Sequence, residues 1–134
     1  MSDTTKPRIL VVEDDSDLRM ILKLQLVSEG FEVSEAVNGA EGFEAVQELM
    51  PDCVILDLMM PVMDGFGFLK RVRSLQSLQD IPIMILTASE DERHKARGFQ
   101  YQADLYMNKP YDLDELTDNV RKLIASTELN QSSF

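Results

Sequence analysis

The sequence predicts a doubly wound α/β domain, in which helices cover both faces of a five-stranded parallel sheet. Five short runs rich in Val, Ile and Leu alternate with stretches of helical periodicity, without a break. The chain has 134 residues, enough for one good core and too few for two domains. Parallel strands joined by crossover helices are buried on both faces, and the nearly continuous apolar character of these runs fits that arrangement.

The five predicted strands share a high content of β-branched and long apolar residues, which suits a buried sheet. The second strand alternates apolar and polar residues, which is typical of an edge strand. In chain order the strands read RILVVED, FEVSEA, DCVILDL, IPIMILTA and ADLYMNK.

The first three helices are predicted from apolar residues spaced by three or four positions and from their stop signals. The first covers about 17–29 and stops at Gly30, where a glycine is a natural helix end. The second covers about 40–50 and is halted by Pro51, and the third covers about 66–75.

The starts of the last two helices are predicted from the spacing of a capping box, in which a polar cap is followed three residues later by Glu. The fourth helix is expected to open on Ser89, with Glu92 at that spacing. The last is expected to open on Asp112, with Glu115 at that spacing.

The polar ends of the chain divide it into three predicted parts. Residues 1–7 are expected to be a disordered N-terminus, and 8–125 are expected to form the folded domain. Residues 126–134 are expected to be a polar C-terminal tail or a truncated linker.

Composition excludes several classes of function. Acidic residues outnumber basic ones 24 to 13, and a net charge of -11 repels nucleic acid unless basic residues are segregated, which they are not. No apolar run approaches the roughly 20 residues of a membrane span, and the first residues lack the pattern of a signal peptide. The expected location is cytoplasmic, which suits a single cysteine, Cys53, expected to be a small buried hydrophobe.

Polar residues follow the apolar runs of four predicted strands. Parallel strands end at the same edge of the sheet, and ligands of such sheets bind beyond that edge, where the strand order reverses. The residues expected to meet there are Glu13, Asp14, Asp15, Asp57, Thr87 and Lys109. Asp15 is expected to cap the first helix or face solvent rather than bind a ligand.

This set of residues predicts phosphoryl transfer onto an aspartate. Carboxylates that converge without histidine or cysteine suit a hard cation such as Mg²⁺. A lysine opposite them would hold an anion, and a carboxylate oxygen is itself a nucleophile toward phosphorus.

Four motifs carry a resemblance to a known family: ILVVEDD, VILDLMMPVMDG, ILTA and YMNKP, in this order. Together they resemble the receiver domain of two-component response regulators, in particular the chemotaxis-regulator-like receivers. The resemblance covers about residues 8–125. It implies a flavodoxin-like (β/α)5 fold with strand order 2-1-3-4-5, and a signalling switch rather than an enzyme that turns over substrate.

The resemblance also implies a role for each polar residue at the sheet edge. Asp57 is expected to be the phosphoacceptor. Mg²⁺ is expected to be held by Glu13, Asp14, Asp57 and the backbone carbonyl of Met59. Lys109 is expected to pair with the phosphoryl group.

The switch is likewise implied by the resemblance. Thr87 is expected to contact the phosphoryl group and to move inward on phosphorylation. Tyr106 is expected to turn into the vacated space and remodel the face made by the fourth helix, the fifth strand and the fifth helix. The bond between Lys109 and Pro110 is expected to be cis, as it usually is in this family.

The partners implied are a phosphoryl donor and an output protein. A histidine kinase or a histidine phosphotransfer protein is expected to dock near the first helix, around Ser16, Arg19 and Met20. An unidentified output partner is expected to read the face of the fourth helix, fifth strand and fifth helix. Only Asp104 and Arg121 hint at the ion pairs that form dimers on that face, so a monomer or a weak dimer is expected.

One position departs from the usual pattern of the family, and two others tune the loss of the phosphoryl group. Gln102 stands where receivers often have glycine before the fifth strand. Met59 and Ser89 occupy the two positions that tune this loss, and the apolar Met59 cannot orient an attacking water. The acyl phosphate is therefore expected to last minutes or more.

Two alternatives from other classes remain open from the sequence. A haloacid-dehalogenase-type phosphohydrolase also uses an aspartate, a lysine and Mg²⁺. It needs a second aspartate two residues after the nucleophile, where this chain has Met59, and a nucleophile on the first strand. A receiver-like interaction module that takes no phosphate is the other alternative. Turnover separates the three, since a phosphatase releases phosphate repeatedly, a receiver labels itself once and a module does neither.

Overall fold

The computed structural model describes residues 6–132, and side chains up to residue 128. It contains one sheet of five parallel strands in the order β2-β1-β3-β4-β5, which confirms the predicted fold class and strand order. The second strand lies at an edge, as its alternating pattern predicted. The strands are β1 Arg8–Val12, β2 Glu32–Ala36, β3 Cys53–Leu56, β4 Ile83–Thr87 and β5 Leu105–Asn108.

A helix follows each strand, as predicted, and four of the five begin close to the predicted residue. Asp15 caps the first, accepting hydrogen bonds from the backbone of Asp17 and Leu18, which confirms a capping role for it. The helices are α1 Ser16–Ser28, α2 Gly39–Leu49, α3 Gly65–Ser74, α4 Glu92–Gln100 and α5 Leu113–Ser132.

The predicted start of α4 was wrong by two residues. The cap is Asp91, whose carboxylate accepts the backbone N–H of Arg93, and not Ser89. Ser89 instead contacts His94 through its side chain. The capping-box spacing misled here because it cannot distinguish a cap from a polar loop residue two positions earlier.

The two ends of the domain differ from the prediction in part. Asp112 caps α5 as predicted, because its carboxylate accepts hydrogen bonds from the backbone N–H groups of Asp114 and Glu115. The helix then continues to Ser132, so residues 126–132 of the predicted polar tail or truncated linker are helical. At the other end, the carbonyl of Pro7 accepts a hydrogen bond from Glu32, which ties residue 7 to β2, while residues 1–5 of the predicted disordered segment lie outside the described residues.

Apolar side chains fill both faces of the sheet, because successive residues of a strand point to opposite sides. One face packs against α2 and α3, and the other against α1 and α5. Cys53 is fully buried in the second of these layers, as predicted. The first layer includes Leu10, Val12, Leu56, Phe68 and Val72, and the second includes Ile9, Val11, Leu26, Ile55 and Leu116.

The two residues predicted to hint at dimer pairs are engaged within the chain. The carboxylate of Asp104 lies 2.9 Å from the guanidinium of Arg73 and also accepts the backbone N–H of Ile83. Arg121 pairs with Glu29 at 2.9 Å. Both side chains thus have ion-pair partners within the domain, which sequence separation conceals, and the expectation of a monomer or weak dimer stays a prediction. Among the residues that the structure describes, no helix has the length and apolar composition to cross a bilayer.

Candidate functional site

The carboxyl ends of the strands carry the predicted site residues to one edge of the sheet. Glu13 follows β1 and Asp57 follows β3, two strands that pair directly. The sheet hydrogen bonding continues past the strand ends, since the N–H of Asp57 donates to Val12 and that of Lys109 donates to Thr87. This edge lies where the strand order reverses, between β1 and β3, the usual ligand position of such sheets.

Three carboxylates converge at this edge. Glu13, Asp14 and Asp57 each offer one oxygen, and the three oxygens lie within 4.8 Å of one another. Glu13 and Asp57 are buried, with Asp57 only 6% exposed, whereas Asp14 faces solvent. An open, all-oxygen cluster fits Mg²⁺, which prefers carboxylate ligands and retains several waters. These three residues would hold the ion, and it would supply charge neutralisation for a phosphoryl group.

The ammonium group of Lys109 lies among these carboxylates. Its nitrogen is 2.8 Å from Glu13 Oε1 and 3.8 Å from Asp57 Oδ2. Lys109 precedes Pro110 through a cis peptide bond, as the family resemblance implied. The structure therefore brings together the predicted cation and three predicted acids.

The buried acid Glu13 has a perturbed ionisation. Burial raises the pKa of Glu13 to about 7, and the negative charge of Asp57 adds to this rise, although the hydrogen bond from Lys109 opposes it. Burial also raises the pKa of Tyr111 to about 12, and the charge of Glu13 contributes.

Arg19 supports the acidic loop, a role that the sequence analysis missed. Its Nη1 donates to the carbonyls of Glu13 and Asp14 at 2.8 and 3.2 Å, and its Nε donates to Glu35. The side chain is therefore largely engaged inside the domain, and the expected docking of a phosphoryl donor around it stays a prediction. An arginine one turn into α1, close after the acidic pair, is the signal that could have indicated this role.

The loop after Asp57 is folded tightly against the site. The N–H of Gly65 donates to the carbonyl of Leu58, and the N–H of Gly39 donates to that of Met63. A Cβ on Gly65 would lie 2.6 Å from the Asp57 carbonyl oxygen, so only glycine fits there. Met59 is 60% exposed, and its predicted role concerns only its backbone carbonyl.

Thr87 and Tyr106 are linked through the backbone of Ser89. The buried Thr87 hydroxyl accepts the N–H of Ser89 at 3.3 Å. The Tyr106 hydroxyl donates to the Ser89 carbonyl at 3.3 Å, and Asn108 donates to the same carbonyl at 2.6 Å. The sequence analysis did not anticipate Asn108, because an exposed amide at a strand end has no distinctive spacing. The contact of Ser89 with His94 was missed for the same reason.

Comparison with known proteins decides the family. The family model described as "Response regulator receiver domain" matches residues 9–121. The chain belongs to the response regulator receiver family. The domain is 38% identical over 122 residues to the "DNA-binding dual master transcriptional regulator RpaA" of Synechocystis sp., covering 91% of this chain and 51% of that protein. This receiver domain therefore spans about half the length of the curated relatives it matches.

Solved structures agree with the family and the fold. The receiver domain superposes on that of the Francisella response regulator 1452 with a TM-score of 0.84 and 30% identity, covering 91% of this chain and 99% of that one. A CheY-like receiver domain protein from Methanospirillum hungatei gives a TM-score of 0.89 at 23% identity, covering 94% and 99% of the two chains, which shows the shared fold alone. The chain is thus a receiver domain of two-component signalling, and its family acts as a signalling switch.

Proposed function

We propose that this receiver domain accepts a phosphoryl group on Asp57 and acts as a phosphorylation-controlled switch. The observation that carries the proposal is the cluster of carboxylate oxygens from Glu13, Asp14 and Asp57, with the Lys109 ammonium 3.8 Å from Asp57. A nucleophilic carboxylate beside a cation and a metal-type acidic cluster is the arrangement that phosphoryl transfer requires.

In the proposed reaction, an oxygen of Asp57 forms a bond to phosphorus while the bond between phosphorus and the donor breaks. With a phosphohistidine donor, the broken bond is P–N and the imidazole leaves, and the product on Asp57 is an acyl phosphate. Lys109 would donate to one phosphoryl oxygen and the Thr87 hydroxyl to another. The proposed ligands of Mg²⁺ are Glu13, Asp14, Asp57 and the carbonyl of Met59.

The proposed output passes from Thr87 to Tyr106. Its support is the Ser89 peptide, because its N–H bonds to Thr87 and its carbonyl accepts from Tyr106. A displacement of Thr87 toward a phosphoryl group would therefore disturb the contact of Tyr106. Moving such a switch from mostly inactive to mostly active needs a bias of about 3 to 5 kcal/mol.

The proposed donor is a histidine kinase or a histidine phosphotransfer protein, and the proposed output partner reads the face of α4, β5 and α5. The net charge of -11 argues that this domain itself does not bind nucleic acid. We propose that it works in the cytoplasm as a monomer or weak dimer.

The proposal is tested by incubating the protein with acetyl phosphate and Mg²⁺ and reading the intact mass. A single addition of about 80 Da, the mass of one phosphoryl group, is expected, and it should require the metal. Asp57→Asn should abolish the addition, whereas Asp52→Asn, an acid at the opposite end of β3, should retain it. Failure of the unmodified chain to gain mass or to bind beryllofluoride would favour the interaction module, and repeated release of phosphate from added esters would favour the phosphohydrolase.

A further inference from the structure

The side chains of Ser89 and His94 form a contact that transfer to Asp57 does not use. Ser89 Oγ lies 2.6 Å from His94 Nδ1, which is a short hydrogen bond. Ser89 follows Thr87 by two residues, and its N–H donates to the Thr87 hydroxyl. The backbone of Ser89 therefore adjoins Thr87, a residue of the phosphoryl site proposed above.

The hydrogen-bonding capacity of the Ser89 hydroxyl limits what it can do. A hydroxyl has one hydrogen to donate and two lone pairs that accept. One lone pair receives the N–H of Asp91 at 3.3 Å. If His94 Nδ1 carries no hydrogen, it accepts a hydrogen bond from the Ser89 hydroxyl, and the second lone pair of Ser89 Oγ stays available. If Nδ1 carries a hydrogen, it donates to that second lone pair, and the Ser89 hydroxyl hydrogen is available instead.

The imidazole ring is held in place by packing. It meets the ring of Phe66, in the first turn of α3, edge to face at 5.8 Å between centroids. The Arg97 guanidinium lies over the same Phe66 ring at 4.2 Å. His94 therefore offers Nδ1 to Ser89 from a fixed position on α4.

We propose that His94 is a positioning residue for the loss of the phosphoryl group from Asp57, an inference that rests on the proposed function. His94 Nδ1 accepts a hydrogen bond from the Ser89 hydroxyl, and the remaining lone pair of Ser89 Oγ accepts a hydrogen bond from the attacking water. Met59, at the other position beside the site, has no group that could orient a water in this way.

The reaction that Ser89 assists is the hydrolysis of the acyl phosphate. The water oxygen forms a bond to phosphorus, the P–O bond to Asp57 breaks, and Asp57 leaves as a carboxylate. The two hydrogens of water stay on the released phosphate, as H₂PO₄⁻, before it equilibrates with solvent. Ser89 and His94 orient the water and neither gains nor loses a proton overall.

Variants at His94 separate hydrogen bonding from packing. His94→Phe keeps a ring against Phe66 and removes the acceptor, whereas His94→Asn returns an amide oxygen near the position of Nδ1. Each protein is labelled with acetyl phosphate and Mg²⁺, freed of donor, and followed by intact mass as the label is lost. His94→Phe should lose the group about fivefold more slowly, the effect of one ordinary hydrogen bond. His94→Asn should restore the rate to within about twofold of the unmodified chain.

A double-mutant cycle and a spectrum complete the test. Ser89→Ala should be as slow as His94→Phe, and combining the two changes should slow the loss no further. The chain has one histidine, so its imidazole gives a single pair of ¹⁵N signals, which should show Nε2 bearing the hydrogen of the neutral ring and Nδ1 bare.

Three results would overturn the inference while leaving the proposed function intact. They are equal rates for the unmodified chain and His94→Phe, a His94→Asn variant as slow as His94→Phe, and an imidazole with its hydrogen on Nδ1. Absence of label on the unmodified chain would instead reject the proposed function and this inference with it.

Discussion

Lys109 and Glu13 are 96 residues apart in the chain, yet Lys109 Nζ lies 2.8 Å from Glu13 Oε1. The same ammonium is 3.8 Å from Asp57 Oδ2. One ammonium group thus lies beside two buried carboxyl groups. Because a buried charge is costly without a partner, the ammonium group stabilises the carboxylate form of Glu13.

Lys109→Met is expected to separate metal binding from phosphorylation. Without the ammonium, Mg²⁺ should bind at least as tightly, because nothing competes for Glu13. The labelling of Asp57 by acetyl phosphate should slow about tenfold or more, because the phosphoryl group loses a cation in the transition state. Calorimetry measures the Mg²⁺ affinity, and intact mass measures the rate at which Asp57 is labelled. Lys95→Met, an exposed lysine of α4, should change neither, and loss of Mg²⁺ binding in Lys109→Met would contradict the expectation.

The ionisation of Glu13 predicts a pH dependence. Its folded pKa is about 7 against an ordinary value of 4.5, so the metal-free folded protein binds more protons than the unfolded chain between these values. The stability of the metal-free domain should therefore fall as pH rises from 4.5 through 7.

Mg²⁺ affinity should change in the opposite direction, rising through pH 7 as Glu13 loses its proton. Chemical denaturation and metal titration across this range measure the two effects. Glu13→Gln should flatten both profiles, and an unchanged pH profile in that variant would assign the titration to another group.

Gly65→Ala is expected to destabilise the domain by about 2 to 3 kcal/mol. The added Cβ would lie 2.6 Å from the Asp57 carbonyl oxygen and 2.8 Å from Leu58 Cα, and backbone atoms cannot yield cheaply. Gly67→Ala is the matched control in the same helix, since its Cβ meets the flexible side chain of Met63. That change should be neutral or stabilising by up to about 1 kcal/mol. If urea unfolding showed equal losses of unfolding free energy in Gly65→Ala and Gly67→Ala, the steric explanation would be refuted.

Val62→Gly is expected to stabilise the domain by about 1 kcal/mol. Val62 has φ +70° and is 84% exposed, so the valine carries left-handed strain and contributes almost no packing. The gain is reduced by the greater freedom of glycine in the unfolded chain. Val37→Gly, another exposed valine whose φ is not positive, should be destabilising instead. A loss of stability in Val62→Gly would show that this loop is not strained.

Arg73→Met is expected to lower the free energy of unfolding by about 2 to 3 kcal/mol, far more than Arg121→Met does. The Arg73 side chain is only 8% exposed and donates to the carbonyls of Gln79, Ile81 and Gln102 besides pairing with Asp104. Arg121 forms a largely exposed pair with Glu29, and such pairs contribute about 0 to 1 kcal/mol. Thermal or urea unfolding of both variants measures the two effects. Similar losses of stability in the two variants would contradict this expectation.

The sequence by itself determined the fold class, the strand order through the family resemblance, and the set of acids and the lysine at the sheet edge. It could do so because parallel buried strands are nearly continuous apolar runs, and the residues that follow them must share one edge. Patterns that repeat within a few residues are visible in a sequence. The capped starts of α1 and α5 and the stops of the first two helices belong to this class.

Only the tertiary structure decided which distant groups touch. Two ion pairs, Lys109 with Glu13 and Arg73 with Asp104, join residues whose spacing in the chain carries no signal. The same is true of Ser89, which resembled a helix cap and instead faces His94. Side-chain partners depend on which helix packs on which face of the sheet and at what height. That geometry is fixed by burial of the whole core rather than by any local pattern.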